Sequence, residues 1–404
     1  MNNACPICYG GESVIKNNCK LCGGSGEVTK EVYDDIEKEL HEFEEKDEAS
    51  KYFDNLFKSF GLIKKDENHS GRLIRTHIVP TGSISIMQGD HGLLEFVNLG
   101  DYGKERNIKA DFLGLNRDIN GVENGSIMSL EEKWVITLST QYGCTQACKF
   151  CDVPLLKFRG NATYNDLKNQ LILAVKQHPE ITATKRLNIH FARMGEPTYN
   201  ENILDFVQDL ESIVKENTQL INFHLHPVLT TMLPYNLYEN GKLLEYLNKW
   251  CDIKNNLFKG EAGLQLSLNS TDESQRDYLF SNGSVHLKDF LMICEELPKP
   301  RGRKYCLNVI LSDKTIIDVN LLSKTVNKKN FMIKITPIHN TKSCKENNIT
   351  TTDGYSNYLP YKDLERKLVA EGFDVLVFIP SAEEEEGLIT CGNLILSKFK
   401  ESEK

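Results

Sequence analysis

Beyond residue 130 the apolar positions of this 404-residue chain fall into short runs separated by stretches of helical spacing. The runs at 134–138, 187–192, 221–225, 264–268, 305–311 and 332–336 have the length of strands. The segments 164–176, 203–215, 242–250, 285–296 and 361–370 repeat apolar residues at the spacing of a helix face. Strand and helix alternating over about 200 residues predict an α/β fold with a parallel sheet wound by helices, whose sites form at the carboxyl ends of the strands.

Upstream the pattern changes. Residues 73–99 alternate in strand fashion about a hairpin signal at Gly89, Asp90, His91 and Gly92. Residues 100–130, rich in Gly, Asn and Asp, read as an insertion or long loop. From 31 to 48, ten acidic residues stand against two lysines, with Val32, Ile36, Leu40 and Phe43 at helical spacing, which predicts an amphipathic helix with a solvated acidic face. The organisation expected is therefore a metal knuckle at 1–28, an acidic helical segment at 29–70, a β-rich accessory segment with its insertion at 71–130, a barrel at 131–340 and a C-terminal segment at 341–404.

Composition narrows the class. Apolar content of 40% suits a protein that buries a core, and no long apolar run or signal-peptide pattern is present, so a cytoplasmic protein without membrane contact is expected. Twelve cysteines in such a compartment point to metal and redox chemistry rather than disulfides. A net charge of −9 argues against indiscriminate nucleic-acid binding. It leaves room for a local basic groove, for which Lys157, Arg159, Lys299, Arg301, Arg303 and Lys304 are the candidate cations.

Seven cysteines fall in two motifs. Cys5, Cys8, Cys19 and Cys22 form two CxxC knuckles followed by glycines, a pattern for one closed tetrahedral zinc site with a structural role. The second knuckle resembles those of the DnaJ chaperone family. Cys144, Cys148 and Cys151 lie on one short stretch directly after the first strand of the alternating region. Three thiolates at that spacing can hold three irons of a cubane cluster and leave the fourth open.

The same spacing, with Phe150 before the third cysteine, resembles the radical S-adenosylmethionine (SAM) enzymes. That resemblance implies a partial (β/α)6 barrel, a 4Fe-4S cluster whose open iron chelates SAM, and reductive cleavage to a 5'-deoxyadenosyl radical by an electron donor such as flavodoxin or ferredoxin. Met194, Gly195, Glu196 and Pro197, after the second strand, narrow the resemblance to the RlmN/Cfr-type radical SAM methyl synthases, which methylate adenine in RNA. In that family this loop holds the amino group of SAM, so Gly195 and Glu196 are expected to bind the cofactor. Leu266, Ser267, Leu268 and Asn269 resemble the segment that binds the SAM ribose; Thr230 and Asn340 fall at further SAM-contacting places.

Near the C-terminus, Thr390, Cys391, Gly392, Asn393 and Leu394 resemble the family stretch whose cysteine accepts a methyl group from one SAM. The radical from a second SAM then activates that methyl for addition to the base. Cys391 is thus the expected methyl carrier, and Glu95 resembles the family's proton-accepting glutamate. The implied function is methylation of a base, adenine in rRNA or tRNA. A radical SAM enzyme with a non-nucleic-acid substrate, and a non-catalytic binding factor that kept the barrel, are the alternatives.

Two departures stand out. The family's second cysteine, seven residues before the first cluster cysteine, is Thr137 here, which cannot form a disulfide; either another thiol substitutes, with Cys344 the best candidate, or the reaction ends differently. Four glutamates at 383–386 replace the basic residues that the family carries before its methyl-bearing cysteine.

Overall fold

The computed structural model describes residues 2–4, 27–29, 70–79, 81–100, 129–351, 359–378 and 391–401. The four knuckle cysteines, the acidic stretch at 31–48, most of the 100–130 insertion and Glu383 to Glu386 lie outside them. The chain divides into two compact units, 1–69 and 70–404. In the first, β1 (Asn2–Ala4) pairs antiparallel with β2 (Glu27–Thr29).

The second unit is organised by one ten-stranded sheet. Its antiparallel part is a meander of β3 (Arg72–Val79), β4 (Gly82–Gly89) and β5 (Gly92–Gly100), and β5 then pairs antiparallel with β6 (Trp134–Leu138). The predicted hairpin at Gly89 to Gly92 is the β4–β5 turn. After two short strands, β7 (Gln141–Tyr142) and β8 (Gly160–Asn161), the sheet continues from β6 in parallel through β9 (Ala183–Phe191), β10 (Asn222–Thr231), β11 (Gly263–Ser267), β12 (Tyr305–Leu311), β13 (Phe331–Pro337) and β14 (Val375–Val377). Helices connect these strands, including α1 (Tyr164–Lys176), α2 (Asn202–Gln208), α3 (Leu210–Asn217), α4 (Lys242–Asp252), α5 (Glu273–Leu279), α6 (Leu287–Glu296), α7 (Lys342–Glu346) and α8 (Leu359–Ala370), with α9 (Asn393–Glu401) after them. This is the partial barrel expected from the alternation, with β14 as an additional strand.

Strand alternation sorts side chains to two faces. Leu187, Ile189 and Phe191 of β9, Leu264 and Leu266 of β11, and Ile333 and Ile335 of β13 enter the apolar core under the helices. The opposite face is more polar: Thr137 and His190 stand there in register with the small Val228 and Gly263, and the neighbouring strands add Ser267, Asn308 and Lys334. That face is the lumen of the barrel. The sequence reading 203–215 as one helix meets a break at Asp209, whose φ of −91° and ψ of 0° separate α2 from α3. β10 runs beyond its predicted end, because Pro227 is accommodated where the apolar pattern hid the strand.

Candidate active site

Because β6, β9, β10, β11 and β13 are parallel, everything that immediately follows them gathers on one rim. Cys144, Cys148 and Cys151 follow β6; Gly195 and Glu196 follow β9; Thr230 lies near the end of β10; Ser267 and Asn269 close β11; Asn340 follows β13.

The cluster loop is seated at its base. Tyr142, just before it, donates a 2.6 Å hydrogen bond to Asp166 Oδ2, while Asp166 also caps α1 through the Thr163 backbone amide. Downstream, the Asp152 carboxylate accepts the amides of Lys342 and Ser343 at 3.1 and 2.8 Å, so the start of α7 is tied to the loop. All three cysteines are free thiols with part of their surface accessible. Burial pushes Cys144 up to about 11, and raises Cys148 and Cys151. Each thiol pair also interacts electrostatically. Three partly accessible thiols on one short loop fit a cubane cluster with one open iron.

Glu196 stands beside this loop and raises the affinity of Cys144 and Cys148 for their protons. Gly195 allows the approach: at φ +95°, a Cβ there would lie 2.4 Å from Gln141 Cβ. The next amide, of Glu196, donates to Gln141 Oε1 at 3.0 Å. The Glu196 carboxylate is held in place by Thr198, whose amide and hydroxyl donate at 3.2 and 2.7 Å, and by the Met232 amide at 3.0 Å. Burial nevertheless raises its affinity for a proton, against those donors. A cationic ligand group beside it would relieve that cost.

The other expected SAM contacts differ in availability. Thr230 donates to Gln265 Oε1 at 3.3 Å and Ser267 is half-buried. Asn269 adopts φ +56° and is buried, its Oδ1 accepting the Ile310 amide at 3.2 Å; a ligand would use its amide nitrogen. Asn340 is exposed.

Cys391 is brought to the same place from the far end of the chain. Its electrostatic effect reaches both Cys144 and Cys151, and its sulfur lies 3.6 Å from the Ala192 carbonyl at the end of β9. Burial raises its affinity for a proton, and Arg193 opposes this. Glu95, on β5, is completely buried and meets Arg193 at 2.7 Å. Its two oxygens also accept the amides of Gly392 and Ile395, each at 2.8 Å. Glu95, Arg193 and Cys391 thus form one group.

Two expectations are redirected. Cys344 is fully buried in a small apolar cluster with Leu279, Ile338 and Ile349, its sulfur 3.4 Å from the Phe150 carbonyl, so it backs the cluster loop instead of facing the lumen. The candidate cations divide: Lys157 and Arg159 are exposed just after the cluster loop, but Lys299, Arg301, Arg303 and Lys304 precede β12 at the opposite rim. There Arg303 donates to the Glu261 carbonyl and Lys304 pairs with Asp374. They cannot flank a substrate entering beside the cluster loop.

Arg193 was missed as a site residue, although it stands directly before the Met194 to Pro197 stretch that marked this turn. Gln141 and Asp152 carry no such signal, since their partners come from distant segments.

No family model matches the chain. It is similar to the dual-specificity RNA methyltransferase RlmN of Pelobacter propionicus, 26% identical over 258 residues, which cover 61% of this chain and 67% of that protein. It is similar also to an RlmN of Sulfurovum sp., 25% identical over 46% of each. The chain thus spans two thirds of the first relative and about half of the second. Among solved structures, a radical SAM methyltransferase from Sphaerobacter thermophilus matches with a TM-score of 0.56 at 14% identity, over 83% of this chain and 87% of that one. The chain shares its fold with that Sphaerobacter thermophilus protein, and its sequence is similar to the RlmN proteins. No helix among the described residues is long and apolar enough to cross a membrane.

Proposed function

We propose that the chain is a radical SAM methyltransferase acting on RNA, with adenine in rRNA or tRNA as the target base and Cys391 as the methyl carrier. The observation that carries this reading is the position of Cys391, which lies with Cys144 and Cys151 despite the length of chain between them. A cysteine serving only as packing has no reason to lie within electrostatic reach of two potential cluster ligands. The relation to RNA methyltransferases favours RNA over the small-molecule alternative, and the intact cysteine set weighs against a non-catalytic binding factor.

Cys144, Cys148 and Cys151 would hold the cluster, and Glu196 would face the amino group of SAM; the cluster and SAM together supply a carbon-centred radical when an electron arrives. Cys391 acts in the preceding step as a nucleophile. Its sulfur would take the methyl group that SAM supplies, its proton passing to solvent or a neighbouring acceptor. Thr137 and His190 line the lumen below, and with Thr230 and Ser267 they give a polar wall. A flavodoxin or ferredoxin would donate the electron. Zinc at Cys5, Cys8, Cys19 and Cys22 remains part of the proposal as a structural site.

Anaerobic incubation with reductant, methyl-labelled SAM and total RNA tests the reading, with nucleoside mass spectrometry as the readout. Labelled C-methyladenosine is expected. Formation of 5'-deoxyadenosine without label in any nucleoside would assign the enzyme to another substrate.

A further inference from the structure

We propose that Arg193 and Glu95 form a latch that seats Cys391 at the cluster loop, with Arg193 as the residue that positions the sulfur. The proposal rests on the reading of Cys391 as methyl carrier for its purpose, but not for its geometry. Three segments remote in sequence meet here: β5 supplies Glu95, the turn after β9 supplies Arg193, and Cys391 and Gly392 lead into α9.

The contacts account for both ends of the Glu95 carboxylate. Oε2 accepts hydrogen bonds from Arg193 Nε at 3.0 Å and from the Gly392 amide at 2.8 Å and lies 2.7 Å from Arg193 Nη2 as an ion pair, and Oε1 accepts the Ile395 amide at 2.8 Å. Gly392 and Ile395 open α9, whose first-turn amides have no partner within the helix. A helix start also carries partial positive charge, so an anion there is favoured. Glu95 therefore does from β5 what a capping side chain ordinarily does from within the helix. Because Cys391 immediately precedes the capped turn, fixing that turn fixes its backbone.

Arg193 completes the device. The guanidinium that pairs with Glu95 also lies within electrostatic reach of the Cys391 thiol, where it opposes the effect of burial. The backbone around it is braced: Ser139 Oγ donates to the Glu95 carbonyl at 2.5 Å and accepts the Met194 amide at 3.3 Å. Gly392, at φ +79°, packs against Val153 and Leu156, just after the cluster loop. The latch thereby couples the methyl-carrying turn to the loop that would hold the cluster. A residue without a cationic side chain at position 193 could not pair with Glu95.

The test compares the wild type with Arg193→Met, Arg193→Lys and Glu95→Gln, each reconstituted with its cluster. Backbone hydrogen exchange at Gly392 and Ile395 and the alkylation rate of Cys391 by iodoacetamide report the geometry; S-methyl occupancy of Cys391 reports the chemistry. For Arg193→Met, exchange at both amides and alkylation should rise about tenfold or more and S-methyl occupancy fall at least as much, at unchanged iron content. Arg193→Lys should recover part of each, and a residue with only a structural role would not restore methylation in this graded way. Unchanged exchange at Gly392 and Ile395 in both Arg193→Met and Glu95→Gln would overturn the latch. If wild-type Cys391 carries no methyl while exchange and alkylation respond as expected, the latch stands and the methyl-carrier reading fails.

Discussion

The half of the site formed by the cluster loop and the turn after β9 is built locally, from segments that follow adjacent parallel strands. The half that carries Cys391 is stitched together from β5, the end of β9 and the start of α9. In the first half the residues match the radical SAM pattern cysteine for cysteine. In the second, the turn is held by the Glu95–Arg193 pair, while Thr137, on β6, offers no second thiol. The comparison teaches where change is tolerated: a ligand set fixed by metal geometry admits little variation, whereas a turn positioned by side-chain contacts can be held in more than one way. β9 serves both halves, presenting His190 to the lumen and ending beside Arg193 and Met194.

The largest expected effect separates the halves. Cys148→Ser should abolish cluster loading and lower 5'-deoxyadenosine formation by more than about 100-fold, since even partners outside a metal's ligand shell are worth roughly 10–100-fold. Hydrogen exchange at Gly392 and Ile395 should stay as in the wild type. Faster exchange there would mean that the second half depends on the first for its shape.

Next in size is the buried ion pair. Arg193→Met leaves the Glu95 carboxylate buried without its counter-charge, and unfolding in urea should show a loss of about 3–5 kcal/mol. Adding Glu95→Gln to that variant should recover part of the loss. If the double variant is as unstable as the sum of the two single ones, charge compensation is not what holds this half together.

A smaller effect concerns the lumen wall that joins the halves. Burial lowers His190 to about 3, with Lys334, Arg303, Lys133 and Arg186 adding to it, and burial lowers His226 to about 4. Both are therefore neutral in the folded chain while the unfolded chain takes up protons below about 6.5. Their contribution is complete above that pH and is lost as the pH falls, each adding up to about 1.4 kcal/mol per pH unit to the slope. The urea midpoint should drop between pH 7 and 5.5, less steeply in His190→Asn; parallel slopes in the two proteins would remove His190 from this account.

The smallest effect belongs to Cys344. Cys344→Ala should cost about 1 kcal/mol through lost packing, with turnover within twofold of the wild type. A collapse of multiple turnover at unchanged stability would make Cys344 the second thiol after all.

What the sequence made legible follows the same division. The barrel strands were visible because the core-facing residues alternate or run together, and the cluster loop because metal ligation imposes spacing. The longer β10 was hidden by Pro227 and by histidines facing the lumen, which break the apolar pattern without breaking the strand. Glu95 was found through a resemblance, but its partners Arg193, Gly392 and Ile395 were not, because a buried ion pair and a cap donated from another strand leave no local pattern. Asp209, which ends α2 and starts α3, shows the same limit on a smaller scale: one backbone conformation splits a helix whose periodicity runs straight through.

Mass spectrometry of the protein expressed with its cluster, digested and examined at the peptide containing Cys391, tests the central claim most directly. The account predicts an S-methyl group on Cys391 that disappears in the Cys391→Ala variant and is strongly reduced in Arg193→Met. An unmodified Cys391 in protein with a full iron complement and intact SAM cleavage would contradict it.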